Sequence, residues 1–177
     1  MREPHVIGDW QECADAHAGL RVRVHGLERV EPPHGRDDAA EGLIYFRFRV
    51  TVENRMVNAV GIHLEDGQVD VRTGSDGESA FLDWRNSQFI EGFDLYPLRR
   101  ATAVLYAAAP ESCLHLIDIQ VQVKADDEWA DRYLWSGDMT ATYGLPGTGG
   151  ARADGLAEHL AGQIGVFLRE QAERGRG

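Results

Sequence analysis

The sequence predicts an all-β fold, an antiparallel β-sandwich, followed by a C-terminal amphipathic α-helix. Three observations carry this. Residues 20–137 hold seven to nine short runs in which apolar and polar residues alternate, separated by turn signals. No helical period interrupts those runs, and alternation implies antiparallel sheets with one wet face each. After Tyr143 the composition changes to a glycine-rich stretch and then to a helical stripe.

The first run, "LRVRVHGLERV" (20–30), sets Leu20, Val22 and Val24 against Arg21, Arg23 and His25, with a bulge or bend expected at Gly26. "EPPHGRDDAAEG" (31–42) reads as a long loop. "LIYFRFRVTVEN" (43–54) alternates most regularly: Ile44, Phe46, Phe48, Val50 and Val52 form the expected core face, with Arg47 and Arg49 on the other. "ENRMVN" (53–58) is a turn. Val60, Ile62 and Leu64 make the next strand, and Asp66-Gly67 predicts a hairpin into "QVDVRT". "GSDG" (74–77) is another turn. "SAFLDW" and "EGFDLYP" predict short strands, the second limited to an edge or an end by Pro97. "RATAVLYAAA" (100–109), "CLHLIDIQVQV" (113–123) and "DRYLWSG" (131–137) complete the series.

The expected sandwich domain spans 1–141, and "GLPGTGGARADG" within 142–155 is a flexible linker. In 156–177, Leu156, Leu160, Ile164, Phe167 and Leu168 fall on one helical stripe. Asp154 at its start and Arg169 and Arg174 near its end suit the helix dipole. Gly162 and Gly165 each cost about 1 kcal/mol relative to alanine, so the helix needs a surface to cover its stripe.

Composition narrows the partners. The chain has 29 acidic and 18 basic residues, a formal charge of −11, which repels a phosphate backbone; nucleic acid is not expected. No run of membrane-spanning length occurs, and residues 1–19 hold no apolar core of signal-peptide length. The expected compartment is the cytoplasm. Cys13 and Cys113 are expected as separate free thiols.

Candidate chemistry is sparse. The seven histidines show no metal-ligand spacing, no serine sits in G-x-S-x-G context, and "GTGG" (147–150) lacks the lysine of a phosphate loop. Glu65, Asp66, Asp70, Asp76 and Glu78 cluster beside glycines, a composition that can bind calcium, yet two acidic hairpin turns explain it equally well. No catalytic residue, cofactor or metal ligand is assigned, and an enzyme is not expected. Of the four tryptophans, Trp84 and Trp135 are expected in the core; Trp10 and Trp129 lie in polar surroundings, as cover or contact residues.

The order of these elements resembles the DUF4352-type immunoglobulin-like domain of bacterial proteins over about residues 20–124. Val50, Thr51, Val52, Glu53 and Asn54 match its V-T-V-x-N strand, Asp66-Gly67 its D-x-G turn, and Leu95, Pro97, Val104 and Pro110 its later L-x-P strand, with Leu98 where that family has glycine. The resemblance implies an immunoglobulin-like sandwich used for adhesion or interaction. In such a sandwich the first two strands pair, which would place Arg21, Arg23, Arg47 and Arg49 side by side on one outer face, joined by Arg100. The expected role is therefore a non-enzymatic protein–protein interaction or assembly module of a bacterial cytoplasmic system. Its partner would be another protein or a second copy, docked on the arginines or on Leu156, Leu160, Ile164 and Leu168; a small-ligand or calcium-binding sandwich is the alternative.

Overall fold

In the computed structural model the described residues are 4–32 and 42–139. The expected linker and helix, with Leu156, Leu160, Ile164 and Leu168, lie outside them, as does most of the loop expected at 31–42.

Two sheets face each other across one apolar core. The five-stranded sheet runs β2 (Trp10–Glu12), β3 (Leu20–Arg29), β4 (Leu43–Asn54), β10 (Arg100–Pro110), β8 (Phe81–Leu82). The seven-stranded sheet runs β1 (His5–Val6), β12 (Glu128–Gly137), β11 (Ile117–Ala125), β5 (Val60–Leu64), β9 (Ile90–Leu95), and β6 (Val69–Thr73) also lies on β11, carrying β7 (Glu78–Ser79). Period-two patterning explains the layers. Phe46, Phe48, Val50 and Val52 point into the core, as expected, beside Leu20, Val22 and Val24 from β3. Ile44 is only partly buried at the strand's start. Ile117, Ile119, Val121 and Val123 face them from β11, and Trp135, fully buried, fills the space at β12.

Gly26 marks a bulge, as expected. The β3–β4 register steps from His25↔Arg49 to Glu28↔Arg47, three residues against two, and Gly26 takes φ +63° there. A Cβ at Gly26 would stand 2.7 Å from Nη1 of Arg49, so the missing side chain also makes room for that guanidinium.

Three expectations are corrected. Asp66-Gly67 is not a hairpin. β5 and β6 never pair; they lie end to end along β11, with Ile62 opposite Ala125 and Thr73 opposite Ile117, so the chain runs straight on. A type I′ hairpin needs positive φ at both central residues, and neither Asp66 nor Gly67 has it. Instead Asp66–Gln68 forms one 3-10 turn, closed by the Glu65 side chain on the Gln68 backbone and the Gln68 side chain on the Glu65 N–H at 2.8 Å. Trp84 is not core. It follows β8 in a loop tied by Asn86 and Ser87 to Asp83, and this turn throws the indole outward to 57% exposure. Finally, the sandwich is not wholly antiparallel: β1 pairs in parallel with β12. Strands β1 and β2 escape a sequence reading because two or three polar-rich residues show no period. They are held by contacts far along the chain, with Trp135 Nε1 donating to the Asp9 carbonyl at 3.1 Å and the Ala14 N–H donating to the Tyr133 hydroxyl at 3.3 Å.

Candidate functional site

The outer face of the five-stranded sheet gathers the arginines that the alternation placed there. Register sets them in rows. Arg21 and Arg100 flank Glu53 from either side, Arg23 lies between Trp10 and Thr51, Arg49 is opposite His25, and Arg47 is opposite Glu28. Unpaired like charges on adjacent strands destabilise a sheet, so the carboxylates in these rows matter.

Glu53 is nearly buried and accepts from Nε of Arg21 at 3.1 Å, Nη2 of Arg21 at 2.9 Å and Nε of Arg100 at 2.8 Å. Burial pushes its carboxyl up, but the hydrogen bonds and charges of the two guanidinium groups outweigh this and hold it below the usual carboxylate range. Glu28 likewise serves two arginines: Arg47 donates to it from Nε at 3.0 Å and also from Nη2, and Nη1 of Arg49 lies 3.8 Å away. Arg23 has no carboxylate partner among the described residues, and its buried Nε makes no hydrogen bond. Arg21, Arg23 and Arg100 instead converge on Trp10, with guanidinium carbons 4.2, 4.6 and 5.6 Å from the indole. Trp10 is thus a cover residue for the cations rather than for the core.

Between the two pairs runs a neutral row. His25 Nε2 lies 2.8 Å from the Thr51 hydroxyl, which lies 2.8 Å from that of Thr102. Burial and then the charges of Arg23 and Arg49 lower the His25 pKa, so the ring is neutral at neutral pH. The face therefore carries Arg21, Arg23, Arg47, Arg49 and Arg100 against Glu53, Glu28 and, at its margin, Glu12, which pairs with Arg55 at 3.5 Å. It keeps a basic excess on a chain whose total charge is −11. Sequence alternation found the arginines and missed Glu28, because only the Gly26 bulge brings that residue opposite Arg47.

At one end of this face the chain turns twice. Residues 55–59 link β4 to β5, and residues 96–99 link β9 to β10. Asn54 is fully buried and joins both turns: its Nδ2 donates to the carbonyls of Leu95 (2.7 Å) and Asn58 (2.8 Å), and its Oδ1 accepts from the Met56 N–H at 2.8 Å. Val57, Leu98 and Tyr96 stand out from these turns with 90%, 76% and 65% of their surface exposed.

A shallow cavity of about 370 Å³ lies elsewhere, on the seven-stranded sheet. Gly61 and Gly92 leave it open, and His63, Phe93, Asp94, Lys124 and Asp126 line it. Its charges are largely occupied: Asp126 accepts from the Gly61 N–H at 2.7 Å, Lys124 pairs with Asp127 at 3.0 Å, and His63 lies 2.9 Å from Glu65. Among the described residues no three histidines, cysteines or carboxylates are placed to share a metal ion. Glu65, Asp66, Asp70, Asp76 and Glu78 do not converge: Asp70 pairs with Arg72 at 2.9 Å, and Asp66 caps the Gly67 N–H at 2.7 Å. No helix among the described residues is long and apolar enough to cross a membrane.

No known family and no curated protein matches the chain in sequence. Solved structures do match in shape. A candidate lipoprotein (ycdA) of Bacillus subtilis superposes with a TM-score of 0.51 at 8% identity; the match covers 67% of this chain and only 36% of that one. The secreted protein MPT63 of Mycobacterium tuberculosis superposes with a TM-score of 0.50 at 14% identity, over 77% of this chain and 100% of its own. At such identities the likeness is one of fold, and the fold is a β-sandwich.

Proposed function

We propose that this chain is a non-enzymatic docking module, built on an immunoglobulin-like sandwich, that binds an acidic segment of another protein on the outer face of its five-stranded sheet. The immunoglobulin-like reading is supported by strand order. The sequence β3-β4-β10-β8 in one sheet, against β12-β11-β5 in the other, corresponds to A-B-E-D against G-F-C. It is also the arrangement that the DUF4352-type resemblance implies. The cytoplasmic placement rests on the unpaired thiols of Cys13 and Cys113.

One observation carries the function: Glu53, buried, and Glu28, exposed, are each shared between two arginines, and Arg23 has no carboxylate partner among the described residues. The shared glutamates make the arginine rows compatible with a folded sheet and still leave positive charge over. Three of those arginines are held against Trp10, so their guanidinium planes are ordered before any partner arrives. Arginine and tryptophan are the side chains that most often dominate binding energy at protein interfaces. An acidic partner gains attraction at the face, and the rest of the chain, being acidic, repels it elsewhere and so confines it to that face.

The test uses a fluorescent Glu-Glu-Ser repeat peptide, titrated at low and high salt. The wild-type chain binds it, and affinity falls as salt rises. The Arg47→Glu and Arg49→Glu double variant, checked for folding by thermal unfolding, loses that binding. A wild-type chain that shows no salt-dependent binding of the peptide would overturn this reading.

A further inference from the structure

Leu98 occupies a costly position. Tyr96-Pro97-Leu98-Arg99 is a β-turn closed by the Arg99 N–H on the Tyr96 carbonyl at 3.1 Å, with proline second and Leu98 third at φ +61°. That third position calls for glycine, since a Cβ there crowds the backbone. Leucine is not kept for the core, because it is 76% exposed. Strain held at an exposed apolar residue, with no packing to compensate it, points to a contact made outside the molecule.

Val57 gives the same indication independently. In the turn 54–58 the apolar residue that serves the fold is Met56, which is packed against the core and whose Cγ would lie 2.7 Å from a Cβ on Gly19. Val57, next to it, is 90% exposed. Asn54 fixes the two turns to each other: the Leu98 N–H donates to the Asn54 carbonyl at 2.7 Å, and the Asn54 N–H to that of Arg99 at 3.0 Å. The only charged residues in 54–58 and 96–99 are Arg55 and Arg99. This tip adjoins the basic face, because Glu53 immediately precedes Asn54, and Arg100, which bonds Glu53, immediately follows Arg99.

We infer that Val57, Tyr96 and Leu98 are the apolar anchor of the docking face, and that its partner is an acidic protein segment carrying an apolar side chain beside its carboxylates. The inference rests on the basic face being a docking surface. It favours a protein over an anionic bilayer because a bilayer meets the field of the whole chain, which is net acidic, whereas a narrow segment meets only the arginines.

The experiment compares two probes, a Glu-Glu-Leu repeat peptide and its Glu-Glu-Ser counterpart. The wild-type chain is expected to bind the leucine peptide roughly tenfold more tightly, the effect of burying one such side chain. In Leu98→Gly and in Val57→Ser that ratio falls toward one, while both peptides keep their salt dependence. Leu98→Gly also unfolds at the same or a higher temperature than wild type, so lost discrimination cannot be attributed to a damaged fold. A wild-type ratio near one overturns the anchor and leaves the basic face standing. Absence of salt-dependent binding by either peptide overturns both. Wild-type binding to phosphatidylglycerol–phosphatidylcholine vesicles that disappears in Leu98→Gly, with a peptide ratio near one, overturns the protein partner in favour of a membrane.

Discussion

The side-chain amide of Asn54 donates to the Leu95 carbonyl at 2.7 Å, binding the end of β4 to the end of β9 across 41 positions of sequence. The same amide reaches Asn58, and its oxygen takes the Met56 N–H. The Leu95 bond is buried and the other two are partly buried, so Asn54→Ala strands the Leu95 carbonyl and releases the other two groups. We expect a loss of about 3 kcal/mol, read by urea denaturation. A loss within experimental error would mean that water replaces the amide.

Glu53 makes stability depend on acid. Its folded pKa is held below the unfolded value, so its contribution is complete above that unfolded value and disappears as pH falls through the folded one. Resistance of the wild type to thermal unfolding should weaken as pH falls below the ordinary glutamate value of about 4.3. Glu53→Gln should be less stable at neutral pH, leaving Arg21 and Arg100 without their shared carboxylate, and should lose less on acidification. Parallel pH curves for the two proteins would rule out Glu53 as the group responsible.

Alkali acts on a different pair. Burial pushes the Cys13 thiol up to about 11, and burial together with that thiol pushes the Tyr133 phenol up to about 12. Both groups hold their protons longer when folded, so stability is whole below their unfolded values and falls as pH climbs above about 9. Cys13→Ala should flatten the first part of this decline. In the native chain a thiol reagent should modify Cys113, which is partly exposed, and reach Cys13 only after unfolding. Equal modification rates would show that the N-terminal segment opens freely.

The β11–β12 hairpin offers a stabilising change. Asp126 and Asp127 both have positive φ, at 47° and 66°, between the paired Ala125 and Glu128, the geometry of a two-residue type I′ turn. Glycine suits the second position best. Asp127→Gly should raise stability by about 0.5 kcal/mol, after loss of the exposed pair with Lys124, and Asp127→Val should lower it by more. The order of the two melting temperatures decides the matter.

Side-chain alternation made much of this fold legible. It put Phe46, Phe48, Val50 and Val52 inside and all five arginines on one outer face, because period two leaves a half-buried strand one register. It failed where conformation rather than pattern decides. Asp66-Gly67 has the residues of a hairpin, yet the exchange of side-chain bonds between Glu65 and Gln68 keeps the chain running along β11. Trp84 has the composition of a core residue, yet follows a turn that directs it outward. The charge balance of the candidate site was hidden for a related reason: an ungapped register would set Leu27, not Glu28, opposite Arg47, and only the bulge at Gly26 supplies the carboxylate. The V-T-V-x-N and L-x-P motifs turn out to meet through Asn54 and Leu95, so the residues that suggested a family are ones that hold loops together.

The parallel pairing of β1 with β12 has a consequence for synthesis. His5 lies opposite Trp135, so β1 finds its neighbour only after 135 − 5 = 130 further positions have been translated. At cellular elongation rates that is a wait on the order of ten seconds. Until β12 emerges, the seven-stranded sheet has an uncovered edge on β11, and Tyr133 and Trp135, whose hydroxyl and indole hold the N-terminal segment, do not yet exist. β1 is therefore among the last of these strands to settle, and a nascent chain stalled before residue 128 would present a ready template for another strand.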